Sequence, residues 1–162
     1  MHVACKSGYL EILNSLIQAG AENNNGDTRG RAPIYIACEE GQLGILTRLM
    51  EARAEINIVD TNGLSSIHLA CEKGQLGVLN ILIEAGADIQ VKNNIGWASI
   101  HFACFFQHLT VLVRLIEAGA DIHAKDDNGQ SPIDTVQVHS ELYEVLVRNG
   151  ARPTKPSCCN IS

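Results

Sequence analysis

A 33-residue periodicity governs this chain. Cys5, Cys38, Cys71 and Cys104 stand 33 residues apart, as do Gly30, Gly63, Gly96 and Gly129, and the alanines Ala4, Ala37, Ala70 and Ala103. Two leucine series, Leu10, Leu43, Leu76, Leu109 and Leu16, Leu49, Leu82, Leu115, keep the same interval. Agreement at so many registers marks a structural repeat. A unit this short cannot bury its apolar face alone, so the units must stack on one another.

Each unit reads as two helices and a turn. His68-Leu69-Ala70-Cys71 opens a short apolar helix that Gly74 breaks, and Leu76, Leu79, Leu82 and Ile83 fall on one face of a second helix. Gly86 supplies a left-handed C-terminal position, and Asp60-Thr61-Asn62-Gly63 is a turn sequence suited to a protruding finger. Pro33 and Pro132 occupy a first helical position, where a missing N–H costs nothing, and Ser66 and Ser99 take that place in the two units between.

The run from Asp60 to Cys71, with Gly74-Gln75-Leu76 and residues 82–89 after it, resembles the ankyrin repeat. The resemblance extends over residues 1–152. It implies an all-α solenoid of about five stacked helix-turn-helix units with β-turn fingers, near 1–26, 27–59, 60–92, 93–125 and 126–152, followed by a tail over 153–162. It also implies a hollow face, built of fingers and first helices, that binds other proteins.

The departures from the repeat carry expectations of their own. Met1 falls where Ile34, Ile67 and Ile100 stand, so the first unit is incomplete, either as a cap or because the chain is cut from a longer protein, whose upstream part could be an enzyme. Asn23 replaces an apolar residue that is Ile56, Ile89 and Ile122 elsewhere, which predicts the loosest finger. Arg53 stands at a helix-ending Gly position, where a side chain costs ~1 kcal/mol or more. The fifth unit is two residues shorter and carries Asp134 in the histidine column, features of a capping unit.

Composition narrows the function. The net charge of −6, with no local stripe of Lys and Arg, disfavours a nucleic-acid partner. No apolar run approaches the ~18 residues of a spanning helix, and the N-terminus lacks the pattern of a secretory signal, which together predict a soluble, unexported protein, cytoplasmic or nuclear. Equivalent positions on stacked helices lie ~8–10 Å apart, beyond the ~7 Å reach of a disulfide, so the periodic cysteines are expected to be reduced and buried.

His2 with Cys5, His68 with Cys71 and His101 with Cys104 share a three-residue spacing that could begin a zinc site. The family resemblance favours a different role, in which the histidine orders the turn and the cysteine fills a small buried position. The chain has no Gly-x-Ser-x-Gly elbow and no phosphate-binding glycine loop. No catalytic residue, metal, cofactor or small-molecule substrate is expected.

The candidate binding site lies in the fourth unit, which holds the single Trp and all three Phe. Trp97, Phe105, Phe106 and Ile95 occupy positions that are polar or charged in most other units, and Leu64 on the preceding finger extends them. An apolar cluster within a polar surface is the compositional mark of a binding hot spot. The competing reading folds Phe105 and Phe106 inward over the place vacated when Gly became Gln107. Trp97 is expected to be dispensable for folding, and Glu39, Glu40 and Glu72 to steer a partner carrying Lys or Arg beside an apolar anchor. The ending Cys159-Asn160-Ile161-Ser162 fits the C-a-a-X prenylation pattern, with Cys158 as a second acylation site, and predicts a membrane-tethered variant of the same adaptor.

Overall fold

The computed structural model describes residues 1–153. Four helix pairs follow one another: α1 (His2–Ser7) with α2 (Leu10–Gln18), α3 (Pro33–Glu39) with α4 (Leu43–Glu51), α5 (Ser66–Glu72) with α6 (Leu76–Glu84), and α7 (Ser99–Phe105) with α8 (Leu109–Glu117). The fifth unit pairs a single 3-10 turn, Pro132–Thr135, with α9 (Glu141–Arg148). Its first helix is therefore reduced relative to the expected pair. The fifth unit is one residue shorter before its second helix and one shorter within it, and the chain turns extended at Val136 instead of adding another α-helical turn.

First helices stack on first helices and second helices on second helices along the whole array. This order follows from the repeat. Leu13, Leu46, Leu79 and Leu112 point inward from the second helices, while Cys5, Cys38, Cys71 and Cys104 do so from the first, all of them fully buried. One continuous core results. Burial raises the thiol of Cys5 to about 11 and those of Cys38 and Cys104 to about 12, and shifts Cys71 in the same direction. All four cysteines are free.

The fingers are β-turns, locked by their first side chain. Asp60 accepts the N–H groups of Asn62 at 2.8 Å and Leu64 at 2.9 Å through one carboxylate oxygen, and Gly63 closes the turn with φ 73°. Asp27, Asn93 and Asp126 do the same in their own units. Neighbouring fingers join through backbone bonds in register: Thr61 N–H to Arg29 C=O at 2.9 Å, Asn94 to Asn62 at 3.1 Å, and Asp127 to Ile95 at 3.2 Å. Asn24, Asn57 and Gln90 add a side-chain ladder, each accepting the N–H of a residue in the following unit, Glu55, Asp88 and Asp121 respectively. The finger that lost its apolar anchor is tied by polar bonds instead, with Asn23 donating to Ala52 C=O at 2.7 Å.

The histidine column orders the turns. His68 Nδ1 accepts the Ser65 N–H at 3.0 Å, and its Nε2 meets the carbonyl of Val91 in the next unit at 2.9 Å. Accepting on one nitrogen while donating from the other requires the neutral ring. Burial enforces that state, lowering the His68 pKa to about 4, and it shifts His101 in the same direction. His101 repeats the arrangement, with Ala98 N–H at 3.2 Å and Gln130 C=O at 3.4 Å. Where the column changes residue, the bond is kept by other means. Tyr35 donates to Asp60 Oδ2 at 3.1 Å, and Asp134 accepts both Ser131 N–H and Ser131 Oγ–H. The histidines are thus occupied as turn clamps, and no cluster of three or more potential metal ligands occurs among the described residues.

Candidate functional site

Three rings of the fourth unit form a contiguous chain. Trp97 leaves the finger and reaches Phe105, with ring centroids 5.2 Å apart, and Phe105 meets Phe106 edge to face at 5.1 Å. Phe105 ends α7 and Phe106 follows it, so the short helix carries both rings to its open end. Both are exposed, as is Ile95 on the finger tip. The reading in which Phe105 and Phe106 fold inward does not describe this geometry.

Trp97 behaves differently from the sequence expectation. It is half-buried, packs edge-on against the buried Phe102 at 5.3 Å, stacks on His101 at 6.1 Å, and donates from Nε1 to Asp126 Oδ2 at 3.3 Å. Asp126 is the residue that locks the fifth finger. Trp97 therefore ties the fourth unit to the fifth, and its removal must cost stability. Its exposed edge backs the two phenylalanines as a fixed platform.

The same two columns change character along the array. Position 97 corresponds to Leu64 and Arg31, and position 105 to Glu72 and Glu39. In the second unit these positions form an ion pair, Arg31 to Glu39 at 3.2 Å, with Arg31 also bound to Asp27 at 2.8 Å. Arg31 holds the Asp27 carboxyl down at about 2. In the third unit the columns hold half-buried Leu64 and Glu72; in the fourth they hold Trp97 and Phe105. The face thus runs from charged to aromatic.

Glu39 is consequently held in an ion-pair group with Arg31 and Asp27, one cation against two carboxylates, which keeps a net charge of −1. Glu40 is exposed and Glu72 half-exposed. Sequence reasoning missed both the Arg31–Glu39 pair and the Trp97–Asp126 tie. The first was visible as opposite charges in two columns already identified as neighbours, whereas the second bridges 29 residues and had no local signal.

Gln107 follows the phenylalanines with φ 59°, a left-handed conformation, as does Arg53 with φ 59°. The corresponding Gly8, Gly41 and Gly74 are glycines because the next unit's Gln42, Gln75 or His108 crosses directly over them. Gln107 precedes the shortened fifth unit. The tail that carries Cys158 and Cys159 lies outside the described residues.

Two clefts lie elsewhere, one between α2 and α4, lined by Leu10, Asn14, Gly44, Thr47, Arg48 and Glu51, and one along α9. Neither gathers buried ionisable groups. Among the described residues no helix is long and apolar enough to cross a membrane. No curated protein matches the chain. The family described as ankyrin repeats (3 copies) matches residues 1–93 and again 45–126, the segments that hold the four helix pairs. Finger, first helix, glycine break and second helix recur there at a constant interval and stack unit on unit, and the chain belongs to the ankyrin-repeat family.

Proposed function

We propose that this chain is a protein-binding adaptor whose finger and first-helix face takes a peptide or protein segment with an apolar anchor flanked by Lys or Arg. An ankyrin-repeat domain is generally a protein-binding module, and the finer reading rests on the exposed Phe105 and Phe106 backed by the fixed Trp97. Aromatic side chains held rigid before binding lose little entropy on contact, which is why such groups dominate interface energies.

Ile95 widens the apolar floor toward the fingers, and Leu64 carries it back into the third unit. Glu72 and Glu40 lie beyond, with the exposed Asp127 on the next finger. Their charges favour a basic flank on the partner and raise its on-rate in low salt.

Selection from a random peptide library tests this reading. Wild-type protein should enrich sequences with an aromatic or large aliphatic residue beside Lys or Arg, and the Phe105→Ala, Phe106→Ala double variant should lose that enrichment while melting close to wild type. Enrichment that survives the double variant would refute the site. A fall in thermal stability without loss of binding would return the two rings to a packing role.

A further inference from the structure

The finger tips repeat one polar position, and the fifth unit changes it. Thr28, Thr61, Asn94 and Asp127 share this position, and all four are exposed, including those with a unit on each side. Asn94 sits against the third finger, where a Cβ added to Gly63 would come within 2.6 Å of its Oδ1. From there its Nδ2 donates to the Thr61 carbonyl at 3.1 Å, and the seat is closed on itself. Asp127 takes the same seat on the fourth finger, its Oδ1 within 2.5 Å of a Cβ added to Gly96. A carboxylate, however, has no N–H to give. The Asn94 carbonyl, the counterpart of the Thr61 carbonyl, receives no hydrogen bond among the described residues.

The fourth finger tip therefore presents two acceptors, a carboxylate and a carbonyl, where the third finger pairs an amide with its carbonyl. Gly96 lies between Ile95 and Trp97, so these acceptors border the aromatic cluster directly. Among the described residues Asp127 enters no ion pair, whereas the neighbouring Asp126 is buried and engaged by two backbone N–H groups and by Trp97. The other carboxylates of this face are placed less well. Glu40 stands two units from Phe106, ~16–20 Å at the usual helix spacing and beyond the ~8 Å screening length of physiological salt, with exposed Lys73 at the position between. Glu72 adjoins the same Lys73. Those charges steer an approaching partner without holding a residue next to its anchor.

We propose that Asp127 and the Asn94 carbonyl form a cation subsite, which fixes a Lys or Arg of the partner immediately beside its apolar anchor, with Asp127 as the residue that sets this specificity. On the fourth-unit reading above, the counter-charge at the anchor then comes from one side chain, and the partner supplies the donor that Asn94 supplies at the third finger.

Peptide selection followed by titration calorimetry on the full chain tests the subsite. Wild type should enrich Lys or Arg immediately beside the aromatic or aliphatic anchor, and Asp127→Lys should enrich Asp or Glu there while keeping the anchor. Asp127→Asn restores the closed seat of the third finger. It should melt at or above the wild-type temperature while binding the wild-type-selected peptide about tenfold more weakly, and the same peptide with its basic residue changed to Gln should bind both forms alike. Glu40→Gln should shift affinity by less than about twofold. Basic enrichment that survives Asp127→Asn and is not reversed by Asp127→Lys would overturn the subsite and leave the aromatic site standing, whereas a wild-type selection without an apolar anchor would remove both. Equal losses of affinity for the basic and the Gln peptide in Asp127→Asn would also overturn the subsite, since the side chain would then shape the finger and bind no cation.

Discussion

Replacing His68 with Ala removes the clamp at the centre of the array. The ring is fully buried; its loss leaves the Ser65 N–H and the Val91 carbonyl without the partners they now have at 3.0 Å and 2.9 Å. An unsatisfied buried polar group costs ~1–3 kcal/mol, so the two together contribute about 3 kcal/mol. The vacated ring site, which now abuts Phe102 with centroids 5.1 Å apart, adds about 1 kcal/mol more. A total near 4 kcal/mol is a large share of the stability of a domain this size. His2 provides the internal comparison. It is half-buried at the end of the stack and makes one bond, to Arg31 C=O at 2.8 Å, so His2→Ala should cost about 1 kcal/mol. Urea denaturation followed by far-ultraviolet circular dichroism gives both values from the midpoint shifts. Weakening a central unit also uncouples its neighbours, so the His68 transition should broaden or split. Equal losses in the two variants, or a His68→Ala loss below about 1 kcal/mol, would refute the view that this column holds the units together.

Other expectations follow from the same geometry. The folded His68 titrates at about 4 and its unfolded form near 6.5, so the unfolded state binds the extra proton first. Stability should be complete above about pH 6.5, fall between there and about pH 4, and draw no further loss from this residue below that, which urea midpoints at several pH values would show. Gly74→Ala would bring a Cβ within 2.6 Å of His108 Nδ1 at φ 66°, whereas Gly86→Ala, at φ 82°, meets nothing within 4 Å. Both pay about 1 kcal/mol of left-handed strain, but Gly74→Ala also displaces His108 from Glu72 C=O and should cost about 1 kcal/mol more by thermal melts. Cys5, Cys38 and Cys104, raised to about 11 or 12 and buried, should resist a thiol reagent at pH 8 until the chain unfolds; rapid native labelling of any of them would contradict the packing.

The architecture was legible because every unit states it again. A single segment such as His68-Leu69-Ala70-Cys71 is ambiguous, but the recurrence of its Ala-Cys pair every 33 residues, with glycine at most of the positions equivalent to Gly74 and Gly86, leaves no other reading. The reduced first helix of the fifth unit was less readable, since a two-residue deficit shows only where the spacing changes and not which element gives way. At the site, Phe105, Phe106 and Ile95 stood out as apolar exceptions in polar columns. Trp97 stood out for the same reason and was misjudged, because an exceptional residue can belong to both surface and core. Its bond to Asp126 depends on how far one unit reaches over the next, a distance set by stacking and absent from any local pattern. The pairing of Glu39 was not readable for a similar reason: the fold, and no local pattern, sets Arg31 beside it.

The proposed partner site is the aromatic cluster of the fourth unit. Backbone amide shifts in a nitrogen-labelled sample, titrated with a peptide selected as above, test this directly. The largest changes should fall on Ile95 and on Phe105 to Gln107, with smaller ones at Leu64 and Glu72, while α2, α4 and α6 stay in place. Shifts concentrated on the second helices, or spread evenly over the array, would contradict it.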